Sequence, residues 1–262
     1  MHQLKFLYEQ KIHFQEIVTN HQFAYRCVPK CEPRQEITNL KVEVSPCDYW
    51  AFGQDGFGSQ TIYGTMSRQH RQFYIRVSGT AQTDWRIYDG DEHYKNLFLT
   101  QTPLTTPGIS IKRYMERISP FINNKIRDYG KACEIMDWIY DYFTYTKGST
   151  GIYTTAEQAF TLGKGVCQDY AHVMIGMCRY LGIPARYVSG AMIGEGFSHA
   201  WVEIFSDGKW YGFDPTNHLL VDDFYVVFAR GRDSSDCIIN KGTYFGMCQE
   251  VQEIKVLVEE IK

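Results

Sequence analysis

The feature that most limits how this chain can fold is a change of hydrophobic period near Pro107. From Leu4 to about Thr80, apolar and polar residues alternate in short runs: "LKFLYEQ", "FQEIVT", "QFAYRCV", "NLKVEVS", "TIYGTM" and "QFYIRVSG". Turn-like "TNH", "KCEPR" and "GQDGFGS" separate them. Alternation at a period of two buries one face of a strand, so this part reads as an antiparallel β domain. Two prolines and a glycine in "TQTPLTTPGIS" end that pattern, which puts a boundary near Pro107 and divides the chain into 1–107 and 108–262.

Beyond the boundary the spacing becomes three and four. In "DYGKACEIMDWIYDYF", Ala132, Ile135, Met136, Ile139, Tyr140 and Phe143 form one stripe of a helix packed on a core. "TTAEQAF" follows, with Thr154 and Glu157 at the spacing of a capping box for a short second helix. A third helix begins at or beside Cys167, carries Ala171, Met174, Ile175, Cys178 and Leu181 on one face, and ends at Gly182 and Pro184. Strand-like "ARYVSGAMI", "SHAWVEIF", "WYGFDPTN", "FYVVFARG" and "VQEIKVLVEEI" then close the chain. Helices followed by an antiparallel sheet, behind a β domain, make the fold class α+β.

Bulk properties exclude several functions. The 262 residues are 44% hydrophobic, enough for a substantial core. With 27 basic against 30 acidic residues, the chain lacks the cationic surplus that nucleic-acid binding needs. No segment approaches the ~20 apolar residues of a membrane span, and "MHQLKFLYEQKIHF" lacks the layout of an export signal. A cytoplasmic location is therefore expected, with the eight cysteines as free thiols rather than a disulfide frame. Cys27 and Cys31, near His21 and Cys47, lack the matching second pair of a zinc site, so no metal and no cofactor is expected. Signatures such as G-x-S-x-G and H-E-x-x-H are absent.

Cys167 stands apart from the other thiols by position. It follows the glycines of "GKGVC" at the start of a helix, where unpaired N–H groups and a partial positive charge favour the thiolate. Its own amide would face outward as a donor to an oxyanion. A base can be located by counting. Asp207-Gly208 is a two-residue hairpin signal, so Ser206 pairs with Lys209, Phe205 with Trp210, Glu203 with Gly212 and Trp201 with Asp214. His199 then lies on the face of Trp201, diagonal to Asp214 at about 7–8 Å between Cβ atoms, a gap these two side chains can bridge. Cys167, His199 and Asp214 supply nucleophile, base and orienting carboxylate in that order, as thiol acyl transfer requires.

"GVCQDYAH", "GIPARYVSG", "SHAWVEI" and "WYGFDPTN" together resemble the transglutaminase-like cysteine enzymes, in particular the bacterial branch with an N-terminal β domain. The likeness spans roughly Asp128 to Asn217, with "FARGRD" and the first hundred residues following more loosely. It implies a transglutaminase-like, papain-like core in which the cysteine helix packs on an antiparallel sheet. It also implies Cys167, His199 and Asp214 as a catalytic triad working through a thioester, in a cysteine protease or related amide hydrolase acting on a peptide or protein. A transamidase joining glutamine and lysine side chains is the alternative, as is a peptide-binding module without catalysis. Animal transglutaminases follow Gln-Cys-Trp where this chain reads Val166-Cys167-Gln168, a departure from the pattern that goes with their calcium dependence and crosslinking role, and no EF-hand-like acidic loop is present.

Other residues near these positions have plainer readings. Cys178 and Cys133 sit inside apolar stripes as core thiols. His172, five residues past Cys167, faces about 140° away at about 100° per residue and reads as a buried structural histidine. Asp169 reads as a first-turn cap. Trp201 and Glu203 share the face of His199, as cleft lining or packing. Gly194 to Phe197 reads as a lid or a simple hairpin loop, and His218 as a weaker base candidate.

Overall fold

The structure, a computed structural model, describes residues 1–261 except Glu92 and Tyr94. Its first element is one strand, β1 (His2–Tyr25), where the sequence suggests three short ones. The turn signal at "TNH" bends the strand without ending it: Asn20 takes a φ of 49°, a left-handed conformation that asparagine tolerates. Before the bend, Leu4, Phe6, Tyr8, Ile12 and Phe14 face inward at a period of two, and the register shifts where the strand bends. Strands β2 (Gln35–Ser45), β3 (Tyr49–Gln54), β4 (Gln60–Met66) and β5 (His70–Thr83) build an antiparallel sheet around it.

The helical part opens with α1 (Ile109–Asn123), an element the sequence reading passes over. Its buried residues Ile111, Tyr114, Met115, Ile118 and Ile122 have helical spacing, but Gly108 precedes it without a side-chain cap and Pro120 lies inside it. The cap comes from elsewhere: Glu157 accepts hydrogen bonds from the amides of Gly108, Ser110 and Ile111 at 2.9, 2.7 and 3.2 Å. Helix α2 (Asp128–Tyr142) buries Ala132, Ile135, Met136 and Ile139 as the stripe requires, while Tyr140 turns to solvent. A short strand, β6 (Thr144–Tyr145), leads to α3 (Ala156–Leu162), and β7 (Lys164–Gly165) pairs with β6 in parallel. The capping box of α3 is Thr155 with Gln158, one residue beyond the expected Thr154 and Glu157. Glu157 is free of that role because it caps α1.

Helix α4 (Cys167–Tyr180) starts at the cysteine and is buried on every side from Asp169 to Arg179. It packs on a second antiparallel sheet. Strands β8 (Ala185–Met192), β9 (Gly194–Gly196), β10 (His199–Ser206), β11 (Lys209–Asp214), β12 (Leu219–Leu220) and β13 (Tyr225–Gly231) follow in the chain. All but β9 form this sheet, in the order β12-β11-β10-β8-β13. The hairpin of β10 and β11 has the counted register: Ser206 faces Lys209, Phe205 faces Trp210 and Glu203 faces Gly212.

The last two strands, β14 (Asn240–Phe245) and β15 (Glu250–Glu260), return to the start of the chain and both pair with β1. The change of period at Pro107 therefore separates two stretches of sequence but not two independent sheets. Hydrogen bonds along eleven consecutive residue pairs hold β15 to β1, and Val256 and Val258 enter the same core as Leu4 and Phe6. Ala191, Val226 and Phe228 from the second sheet join that core too, so the two layers share packing. Segment Gly194–Gly196, expected as a lid or hairpin loop, is instead an edge strand of the first sheet paired with β15.

Candidate active site

Cys167 sits at the first position of α4, where its amide has no partner within the helix. The sequence around it explains how the junction is built. Gly163 ends α3 at a φ of 63°, a conformation that favours glycine. A Cβ on Gly165 would lie 2.6 Å from the side chain of Asp169, so glycine is needed for the chain to pass that carboxylate. Asp169 in turn accepts from the amide of Val166 at 2.8 Å and from the hydroxyl of Thr150 at 2.6 Å, and its own amide donates back to the Val166 carbonyl. It is 1% exposed and spends its hydrogen bonds on this cap, as a first-turn residue should. Burial pushes its carboxyl up, against the pull of these hydrogen bonds.

His199, at the first position of β10, lies 2.7 Å through Nε2 from Oδ2 of Asp214 at the end of β11. The hairpin register therefore brings these two side chains into contact. Burial works against the imidazolium, but hydrogen bonds to Asp214 and Cys167, together with their charges, outweigh it and raise His199 to about 10. With Nε2 engaged by Asp214, Nδ1 is the nitrogen left for the sulfur. The structure thus brings all three residues together, from a helix start and two adjacent strands.

Asp214 is fully buried and accepts five hydrogen bonds. Besides His199, Oδ2 receives the Asn217 side-chain amide at 2.8 Å and the Tyr225 hydroxyl at 2.9 Å. Oδ1 receives the backbone amides of Thr216 and Asn217 at 3.0 and 3.2 Å. Burial would raise this carboxyl, yet these donors, His199 first, hold it below its ordinary value. Asn217 and Tyr225 were not singled out from the sequence. Asn217 closes the quoted "FDPTN" turn and was within reach of local reasoning, whereas Tyr225 arrives on β13 and carries no signal of its partner.

The remaining residues fall away from the sulfur. His172 is fully buried, and its Nε2 accepts from the amide of Ser234 at 3.1 Å. Burial lowers it to about 4, so it is a neutral structural histidine. Trp201 is buried beside His199 with ring centroids 6.3 Å apart and meets Tyr225 edge-on. Glu203 lines no cleft: it is fully buried between Arg186 and Arg230 at 2.5 and 2.8 Å. Two guanidinium groups overcome the burial that would neutralise it and hold it well below the usual carboxylate range. His218 turns to Asp137 at 2.7 Å and stacks on Tyr140, away from Asp214. Cys178 is buried, and burial raises the thiol of Cys133.

A cavity of about 280 Å3 opens over the sulfur, bordered by Cys167, His199, Tyr145, Lys147, Glu195 and Phe197. Tyr145 reaches it because β6 pairs with β7 so that Tyr145 is opposite Gly165, two residues before the cysteine.

Residues 116–215 match the Transglutaminase-like superfamily, and residues 4–82 match the bacterial transglutaminase-like N-terminal region. The chain joins a transglutaminase-like core to a bacterial transglutaminase-like N-terminal region. The superfamily match spans Cys167, His199 and Asp214. This transglutaminase-like chain is 27% identical to an uncharacterized protein of Mycobacterium leprae, with 89% of each chain covered. It is 26% identical to an uncharacterized protein of Mycobacterium bovis, over 90% of this chain and 85% of that one. Its fold is similar to the crystal structure of a candidate cysteine protease from Cytophaga hutchinsonii, with a TM-score of 0.78 and 26% identity. That likeness covers 100% of this chain and 92% of the other.

Proposed function

We propose that this protein is a cysteine-dependent amide hydrolase acting on peptides or peptide-like amides. The transglutaminase-like core and the likeness to the Cytophaga candidate protease support a cysteine hydrolase or transamidase. One observation carries the finer reading: His199 is held by Asp214 on one nitrogen and interacts with Cys167 as well, at the start of a buried helix.

His199 takes the proton of Cys167 and the thiolate attacks the substrate carbonyl carbon. The negative charge then moves to the carbonyl oxygen, which the Cys167 amide and the positive end of α4 stabilise. Tyr145, a hydroxyl on the wall of the same cavity, is the second donor in this reading. When the tetrahedral intermediate collapses, the C–N bond breaks and His199 gives its proton to the leaving amine. Water attacks the thioester with His199 as base, and the C–S bond breaks to release the acid and the thiol. Asp214 stays ionised throughout and fixes the imidazole.

Hydrolysis is favoured over transamidation because the cavity over Cys167 is open and bordered by charged Lys147 and Glu195, which does not exclude water. Eight free thiols fit a reducing compartment, so the cytoplasm belongs to the same proposal. The test is incubation with a glutamine-containing peptide, a peptide amide and a labelled primary amine. Free acid without amine incorporation supports the hydrolase, and incorporation of the label overturns it in favour of the transamidase. A binding module without catalysis predicts neither product, and equal iodoacetamide labelling of Cys167 and the other accessible thiols.

A further inference from the structure

Two cavities flank the start of α4, and they differ in chemistry. The cavity over the sulfur includes Lys147 and Glu195. The second, of about 360 Å3, is bordered by Gln168, next after the nucleophile, and by Ser198, next before the base. Phe197 and Ser198 border both, so the two chambers adjoin at the reacting centre. No Asp, Glu, Lys or Arg is among the described residues lining the second chamber. Ile152, Tyr153, Tyr187, Phe197 and Ile239 give it its apolar walls, beside the uncharged polar groups of four serines, Gln168 and Asn240.

Three of those walls stand in water: Ile152, Tyr153 and Phe197 are 67%, 82% and 65% exposed. Single exposed apolar side chains need no explanation, but several gathered at the mouth of one concavity mark a binding surface. The Lys147 ammonium lies over the Phe197 ring at 5.4 Å from the side of the first chamber. The ring so held divides a charged chamber from an apolar one.

The position of His199 assigns a direction to the substrate. The imidazole that gives a proton to the leaving amine must lie on the leaving-group side; Cys167 and His199 both border the charged chamber and neither borders the apolar one, so the leaving amine lies with His199 in the charged chamber. The acyl part of the substrate is left with the apolar chamber. We propose that this chamber is the acyl-side specificity pocket, taking a large apolar or aromatic side chain from the residue whose carbonyl is attacked. The inference deepens the hydrolase reading and rests on it for the direction of the substrate.

Protection of Cys167 from iodoacetamide reads occupancy without needing turnover. N-acetyl-phenylalaninamide and N-acetyl-leucinamide should halve the alkylation rate at concentrations about 30-fold below those needed with N-acetyl-glycinamide or N-acetyl-lysinamide, as burial of one large apolar side chain implies. Ile152→Glu and Tyr153→Ser, at exposed positions, should each cut that preference to about threefold, with protection referred to the variant's own unprotected rate. Coumarin amides of the same acyl residues should be cleaved in the same order. Equal protection by all four ligands, or a preference unchanged in both variants, overturns the pocket. Protection in the expected order with no coumarin released upholds the pocket and removes the hydrolase reading instead.

Discussion

Replacing Asp214 with Asn removes the charge that holds His199 and changes little in volume. Both carboxylate oxygens act only as acceptors: Oδ2 for His199, Asn217 and Tyr225, and Oδ1 for two backbone amides. An amide in either orientation sets its NH2 against N–H or O–H donors, so it cannot reproduce the set. A hydrogen bond to a charged group contributes about 1.5–3 kcal/mol, and about 1.4 kcal/mol is a factor of ten in the protonation equilibrium. Loss of the bond to Asp214 should therefore lower the population of the thiolate–imidazolium pair at pH 7 about 10- to 150-fold. The assay is the second-order rate of Cys167 alkylation by iodoacetamide, followed by peptide mass spectrometry from pH 5 to 10. In the parent protein, against the cost of burial, Asp214 and Cys167 raise His199 above its ordinary value, so the rapid phase should extend through neutral pH. In Asp214→Asn the rate at pH 7 should fall by the stated factor. An unchanged rate and profile, in a variant whose near-ultraviolet circular dichroism remains native, would refute the claim that Asp214 acts on sulfur through His199.

Three further outcomes follow from the same contacts. Tyr225→Phe removes one donor from the buried Asp214 carboxylate while keeping the ring, and should cost about 1.5–3 kcal/mol of stability in urea denaturation. Glu203→Gln leaves Arg186 and Arg230 without their shared buried carboxylate; it should cost about 3–5 kcal/mol in urea denaturation, and a loss below about 1 kcal/mol would show the network to be dispensable. His172 is lowered to about 4 by burial, so the unfolded chain binds more protons than the folded one below the ordinary value of 6.5. Its contribution is intact above pH 6.5 and declines as pH falls toward 4, by about 2 kcal/mol between pH 7 and 5. The urea midpoint should fall accordingly, and His172→Gln should flatten that dependence if the imidazole is its source.

What the text of the chain reveals follows the range of the forces involved. Cys167 behind Gly163 and Gly165 at a helix start and the Asp207-Gly208 hairpin are local, and a two-residue turn fixes its register, so His199 could be placed diagonal to Asp214 by counting. The alternation of β1 was equally plain, because one buried face imposes a period of two. Its length was not, since Asn20 can bend a strand as well as end it. The start of α1 was hidden because its cap is Glu157, dozens of residues away, and the same carboxylate mimicked a local capping box.

The sequence alone determined an all-strand beginning and a helical middle, and it singled out Cys167, His199 and Asp214 as candidates for thiol chemistry. Tertiary structure decided everything that depends on distant segments meeting: the return of β15 to β1, the removal of Glu203 from the cleft by two arginines, and the support of Asp214 by Tyr225. It also decided the two unlike chambers beside the sulfur. Periodicity records which face of an element is buried, but not which surface buries it. A partner chosen by shape and charge across the fold leaves no trace in either residue's own neighbourhood.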